Sequence, residues 1–242
     1  MIIEKEHITF NSNHTIQKIT YSDCEVYYQG LIFISGKKCG YDSIGYIIKK
    51  LRNNDYSVFQ EVYGNYFIYI KDHFYNKQYA FTDNSGIFKA YSYKDCISTS
   101  FLELIDHFDE LTIESLDDEK ITEFLHFGFT YFDDTLIKEI TRIGEDDFLV
   151  FENRNLQHKK KGLKPINKSK GINPERFFSD FIYAINGKEI SLDLTGGGDS
   201  RLILGFLSKE NVNVELAISG LPENKDIKIA SIVASKLKTE LH

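Results

Sequence analysis

The chain predicts a mixed α/β protein built from two unlike regions, an α+β region followed by a partial parallel α/β domain. Three observations carry this. Residues 1–155 hold short runs rich in Tyr, Phe and Ile, broken by Gly, Asn and Asp turns, which is strand chemistry. Residues 156–173 concentrate glycine, lysine and proline and read as a linker. Residues 174–242 alternate helix and strand patterns, which implies parallel strands with helical crossovers.

In the first region the strand patterns fall at 26–35, 65–71, 78–82 and 88–93, and 140–143 with 147–152 reads as a hairpin through Gly144, Glu145 and Asp146. Helical spacing over 42–52 puts Ile44, Ile47, Ile48 and Leu51 on one face. Ser100 is placed to cap a helix over 101–108, and Asp117 or Asp118 to start one through Ile121, Phe124 and Leu125. In the second region Asn173 and Pro174 form a helix start, with Asn as cap and Pro at the first helical position. Strands at 190–194 and 212–219 flank a helix beginning near Ser200. A last helix over 226–237 aligns Ile227, Ala230, Val233, Ala234 and Leu237. That stripe has little obvious partner material, so the sequence predicts either disorder after about residue 170 or an oligomer contact there.

With 242 residues, 42% of them hydrophobic, the chain has ample material for a core. Its 29 basic and 36 acidic residues leave a net charge of −7, which argues against nucleic acid as a partner. The one basic cluster, His158 to Lys161, echoed by Lys164, Lys168 and Lys170, reads as the solvated face of an exposed connection. Cys24, Cys39 and Cys96 form no C-x-x-C pair and suit reduced thiols. No apolar run approaches the roughly 18 residues of a membrane span, and the start, Met-Ile-Ile-Glu-Lys-Glu-His, is unlike a signal peptide. The expectation is a cytoplasmic protein without a membrane partner.

The most informative run is Leu192 to Arg201. A short apolar strand leads into Thr195, Gly196, Gly197, Gly198, Asp199 and Ser200, and a helix follows. Glycines at a strand-to-helix turn leave backbone N–H groups uncovered, and the helix adds the positive end of its dipole, so the turn can cradle a phosphate. Ser200 can add a hydroxyl donor, and Asp199 a hard oxygen ligand for the Mg2+ that accompanies ATP. No Gly-Lys-Ser/Thr follows, so this is no Walker A loop, and Arg201 stands where a dinucleotide fingerprint has its third glycine.

The run resembles the pyrophosphate loop, S-G-G-x-D-S, of enzymes that split ATP into AMP and pyrophosphate, with Thr195 in place of the first Ser. Around it the second region is similar to the synthetase domain of the asparagine synthetase family, through Gly220 to Glu223 and then Asp226, Ala230, Val233, Ala234 and Leu237. The first region resembles that family's glutamine-amidotransferase-like domain. The matching pieces are Gly64 to Phe67, Asp83 with Gly86, Ala90 to Tyr93, Ser98 to Leu104, and Phe124 with Gly128 through Thr135, Leu136 and Ile140. The resemblance runs over about residues 25–242. It implies an N-terminal-nucleophile-hydrolase-like sandwich over 1–155 and the N-terminal part of an ATP-pyrophosphatase domain over 174–242, with Ser219 and Gly220 beside the nucleotide. The implied activity is an ATP-dependent, AMP-forming ligase that joins a carboxylate to an amine.

Two departures qualify that activity. The family's glutaminase uses an N-terminal cysteine, whereas here Met1 is followed by Ile2 and Ile3, and exposing Cys24 would require removing a long leader. The family's Arg-Gly-Pro-Asp and Asn-Gly-Glu segments are not recognisable either. The first domain is therefore expected to have no catalytic residue, a loss that in this superfamily accompanies β-lactam synthetases and lasso-peptide cyclases. The sequence also stops at His242, where a third strand should begin, without the second metal-binding aspartate or the acceptor pocket. The expectation is an incomplete chain, inactive alone, that pairs with an oligomer mate or a complementary C-terminal fragment. The alternative is a catalytically inactive homologue that binds a nucleotide or a partner. A sulfur-transfer or NAD-synthetase type of pyrophosphatase shares the loop and leaves residues 60–150 unexplained.

Overall fold

A computed structural model describes residues 1–4, 7–9, 16–153, 155–164 and 173–242. The chain divides into two units, Met1–Ile34 with Cys39–Ile166, and Ser35–Lys38 with Asn167–His242. Among the described residues no helix is long and apolar enough to cross a membrane.

The first unit contains strands β1 (Ile2–Glu4), β2 (His7–Thr9), β3 (Gln17–Thr20), β4 (Cys24–Ile34), β5 (Val62–Asp72), β6 (Lys77–Thr82), β7 (Tyr91–Tyr93), β8 (Cys96–Ser98), β9 (Thr141–Arg142), β10 (Asp147–Glu152) and β11 (Asn155–Lys160). Its helices are α1 (Tyr41–Arg52), α2 (Phe101–His107) and α3 (Asp118–Phe127). The strands form two antiparallel sheets, ordered β2-β1-β8-β7-β9 and β11-β10-β6-β5-β4-β3. One core, with Ile3, Tyr27, Phe67, Tyr69, Ile97 and Leu149, draws residues from both sheets and so lies between them. A second packs the other face of the larger sheet, through Val26, Tyr66, Ile68 and Phe81, against Ile44, Ile47 and Leu51 of α1. A third packs the smaller sheet against Leu104 of α2. The layers therefore run helix, sheet, sheet, helix. The central strand β5 is apolar on consecutive residues because both its faces are buried.

Two expectations for this unit are corrected. Residues 140–143 and 147–152 do not pair as a hairpin: β9 joins β7 in the smaller sheet, while β10 lies between β6 and β11 in the larger one. The chain changes sheets at Gly144, so the apparent hairpin turn is a crossing. The expected linker at 156–173 begins as β11, and Lys161 beyond it is buried, so the basic cluster is no solvated connection throughout. Residues 165–172, with the rest of that linker and Lys168 and Lys170, lie outside the described residues.

The second unit contains α4 (Pro174–Ile185), β12 (Ser191–Asp193), α5 (Gly198–Lys209), β13 (Glu215–Ala217) and α6 (Lys225–Leu237). Asn173 caps α4 through its side chain, with Pro174 in the first turn. β12 and β13 are parallel, with Leu192 opposite Leu216. Beyond α6, Leu241 bridges Leu216 in parallel, and His242 exchanges backbone hydrogen bonds with Leu216 and Ile218 at 2.9 and 2.8 Å. The expectation that the last helix lacks partners is corrected in part: Ala230 and Ala234 are buried in a core with Leu194, Leu204, Leu207 and Leu216 and Val233 packs against it, while Leu237 is exposed. Small residues let α6 approach the sheet closely, so the stripe needs less partner volume than its length implied.

Candidate phosphate-binding loop

The loop at the carboxyl end of β12 is anchored on its buried side by Leu194, whose amide donates to the Ala217 carbonyl at 2.8 Å. From there two hydroxyls organise it. The Thr195 amide donates to Ser200 Oγ at 3.1 Å, Thr195 Oγ1 lies 3.1 Å from the same oxygen, and the Gly197 amide donates to Thr195 Oγ1 at 3.2 Å. The hydroxyl at 195 thus closes the turn. Arg201 Nε donates to the Gly197 carbonyl at 2.9 Å and fixes the exit.

The helix starts two residues earlier than the sequence indicated, at Gly198, which brings Asp199 and Ser200 into its first turn. The first-turn amides of a helix have no intrahelical acceptor. Ser100, Asp117, Asn173 and Asn224 cap α2, α3, α4 and α6 through their side chains, whereas Gly197 gives α5, and Gly40 gives α1, no side-chain cap. Asp199 is exposed, beside this positive end of the helix.

The three glycines are not equivalent. A Cβ on Gly196 would lie 2.5 Å from Asp226 Oδ1 and 3.2 Å from Asp226 Cα, so glycine is needed there for α6 to approach. At Gly197 it would meet only Thr195 Oγ1, at 3.2 Å, and at Gly198 nothing within 4 Å. Neither residue has a positive φ. Glycine at 198 is therefore demanded by neither backbone conformation nor intrachain crowding, although it weakens the helix. Gly198 is thus the position where a side chain would enter the loop without meeting intrachain atoms. Asp226, which lies over Gly196, was legible in sequence only as one residue of the resemblance, with no sign of its place at the loop. Ser219 and Gly220 are exposed just beyond β13, the strand parallel to β12, and Gly220 has φ +146°.

In the first unit several polar groups are held in hydrogen-bond networks. Cys24 is buried, and its thiol is pushed up to about 11, chiefly by burial and by Asp72, against the pull of Arg52. Arg52 donates to Asp72 at 2.6 and 3.0 Å and to Cys24 Sγ at 3.2 Å, closing a network with no nucleophilic thiolate. Met1 is buried, its α-amine within 3.3 Å of Thr99 Oγ1 and 3.2 Å of Glu103 Oε2. Asp83 accepts from the amides of Ser85, Ile87 and Phe88 and from the Ser85 hydroxyl, which closes its turn. Burial opposes its charge, and these donors hold the carboxyl below the usual range. Lys161 is buried and donates to the Thr82 and Glu145 carbonyls at 2.8 and 2.7 Å and to Asn84 Oδ1 at 3.3 Å. Burial pushes its ammonium down to about 8, opposed by Asp83, Asp146, Asp147 and Glu145. Sequence reading missed it because its acceptors come from distant segments.

No protein-family model matches the chain, and no curated protein matches it. Among solved structures, glutamine phosphoribosylpyrophosphate amidotransferase from B. subtilis, complexed with ADP and GMP, aligns with 97% of this chain and 75% of its own, at 9% identity and a TM-score of 0.34. A structure described as the allosteric regulatory enzyme of purine biosynthesis aligns with 81% of this chain at 9% identity and a TM-score of 0.31. This chain spans 45% of that second protein.

Proposed function

We propose that the second unit binds the phosphates of ATP, as the start of an asparagine-synthetase-like, AMP-forming amide ligase, and that the first unit is an amidotransferase-like scaffold without glutaminase activity. One observation carries the reading: an uncapped helix N-terminus rimmed by the Thr195 and Ser200 hydroxyls, with a glycine at 198 that nothing in the chain requires. An anion at that point would take the first-turn amides of α5, and the open space at Gly198 would let it approach the backbone. Mg2+ fits the donor set. It binds through one or two carboxylates plus phosphate oxygens and water, and Asp199 offers an exposed carboxylate in the first turn. In such chemistry the ion and the amides would offset charge gathering on departing pyrophosphate. The carboxylate and amine to be joined belong to an acceptor pocket outside this reading. For the first unit, the burial of Cys24 beside Asp72 and Arg52 supports the reading that this thiol is no nucleophile.

Isothermal titration with ATP and with pyrophosphate, with and without Mg2+, tests this. Binding should depend on magnesium and weaken about tenfold or more in Asp199→Ala and Gly198→Val, the loss of one charge-assisted contact or of access. Equal affinity in the folded variants would reduce the loop to a turn. The alternative, a nucleotide-binding homologue without catalysis, shares the loop and differs in one readout, since it would bind ATP but release no pyrophosphate with any complementary fragment or substrate. Incubation with glutamine should release no glutamate above the buffer rate.

A further inference from the structure

The segment from α3 to Phe132 is built unlike the rest of the first unit. None of the α3 side chains is buried. Phe124, Leu125, Phe127, Phe129, Tyr131 and Phe132 are all exposed, Leu125 at 77% and Phe132 at 82%. The rings of Phe127, Phe129 and Tyr131 stand within 5.1 to 6.3 Å of one another, so they form one surface. Short helices draw most of their stability from a buried face. Here α3 is held instead by its ends, with Asp117 as N-cap and Gly128 as left-handed C-cap. Glu123 ties the helix to the Tyr131 amide, and Lys120 bridges Glu123 and Asp134 at 3.0 and 2.7 Å. Phe132 has φ +56°, a costly conformation for a bulky residue, and the Arg142 guanidinium holds its carbonyl there. The aromatic rings of this segment are thus exposed on a helix held by its caps and ion pairs.

Charge chooses the occupant. From Asp117 to Glu139 the chain carries seven carboxylates against two lysines, most of the net −7 of the whole chain. Asp118 and Glu139 are exposed on this stretch. An aromatic surface in an acidic field attracts cations to its ring faces as well as to its carboxylates. We propose that the segment 118–132 docks a cationic peptide that carries aliphatic side chains, the aliphatic groups lying on the rings and the lysines or arginines facing the acidic rim. This surface is independent of the glycine loop, and either reading can fail without the other.

Fluorescence anisotropy on the full chain tests it with three labelled short peptides, alternating Lys with Leu, Glu with Leu, and Lys with Ser. The Lys/Leu peptide should bind saturably and the other two should not. Phe127→Ser and Phe132→Ser should each weaken binding about tenfold, with circular dichroism unchanged. The pair Asp118→Asn and Glu139→Gln, which leaves every ring in place, should weaken it also and reduce its salt dependence. Equal binding of the Glu/Leu peptide would overturn the charge argument, equal binding of the Lys/Ser peptide would overturn the role of the rings, and no binding would overturn both. Sedimentation showing a dimer that Phe127→Ser abolishes would assign the surface to a second copy and overturn the proposal.

Discussion

The two units use glycine and aspartate in opposite ways. In the first, a Cβ on Gly64 would lie well inside van der Waals contact of the Leu31 carbonyl, and one on Gly30 would do the same at Asn65. Both glycines have positive φ, and they let β4 and β5 pair closely across the larger sheet. Asp83 there spends its carboxylate on its own turn. In the second unit, Gly198 has open space where a Cβ would go, and Asp199 is exposed. Motifs of similar appearance thus separate by whether the chain itself uses them up. A glycine that crowding explains is evidence of a fold. One with open space, as at Gly198, leaves room for a ligand without marking one, since Gly205 in α5 is equally uncrowded.

The contrast breaks most readily at its structural end. Gly64→Val should destabilise the protein by about 3 kcal/mol or more, or prevent folding, through an impossible φ and a backbone clash. A urea midpoint within error of the unsubstituted chain would show that this glycine is not required. Asp83→Asn should cost about 1–3 kcal/mol, because three amides lose a charged acceptor, without changing ATP affinity. Because burial depresses the Lys161 ammonium, the folded state binds that proton less tightly than the unfolded chain. The group's contribution is therefore least favourable below pH 8 and recovers as pH rises toward 10.5. The stability of the unsubstituted chain relative to Lys161→Met should increase across that window by about 1–3 kcal/mol, read from urea titrations at successive pH values. At the other end, Gly198→Ala should change stability by no more than about 1 kcal/mol, in the stabilising direction. A large loss of stability there would mean that the chain does use this glycine, and the contrast would collapse.

What was legible in sequence was local. The caps at Ser100, Asp117 and Asn173, the apolar face of α1 and the glycine turn all rest on residues within one or two helical turns of each other. What was missed depends on distant partners. β1 is a short strand whose register is fixed by β8 and does not announce itself locally, while the strand at 140–143 was legible and only its partner, β7, was not. The same holds for Lys161, one of a run of lysines until the Thr82 carbonyl is brought to it, and for Asp226 above Gly196. In the loop, sequence identified the six residues and their order. It could not separate Gly196, which Asp226 crowds, from Gly198, which has room, because that distinction lies in the approach of α6.

Lys161 also gives the first unit a clock. An amine whose proton leaves near pH 8 is chemically reactive at mild alkalinity, yet this one is enclosed by the ends of β6 and β11. An acylating reagent in water meets it only when those ends part, whereas surface lysines react at once. At reagent concentrations where reclosing outruns acylation, the slow labelling of this one side chain measures what fraction of the time that end of the sheet stands open. Mass spectrometry of a single lysine would then report local opening of the unit under native conditions.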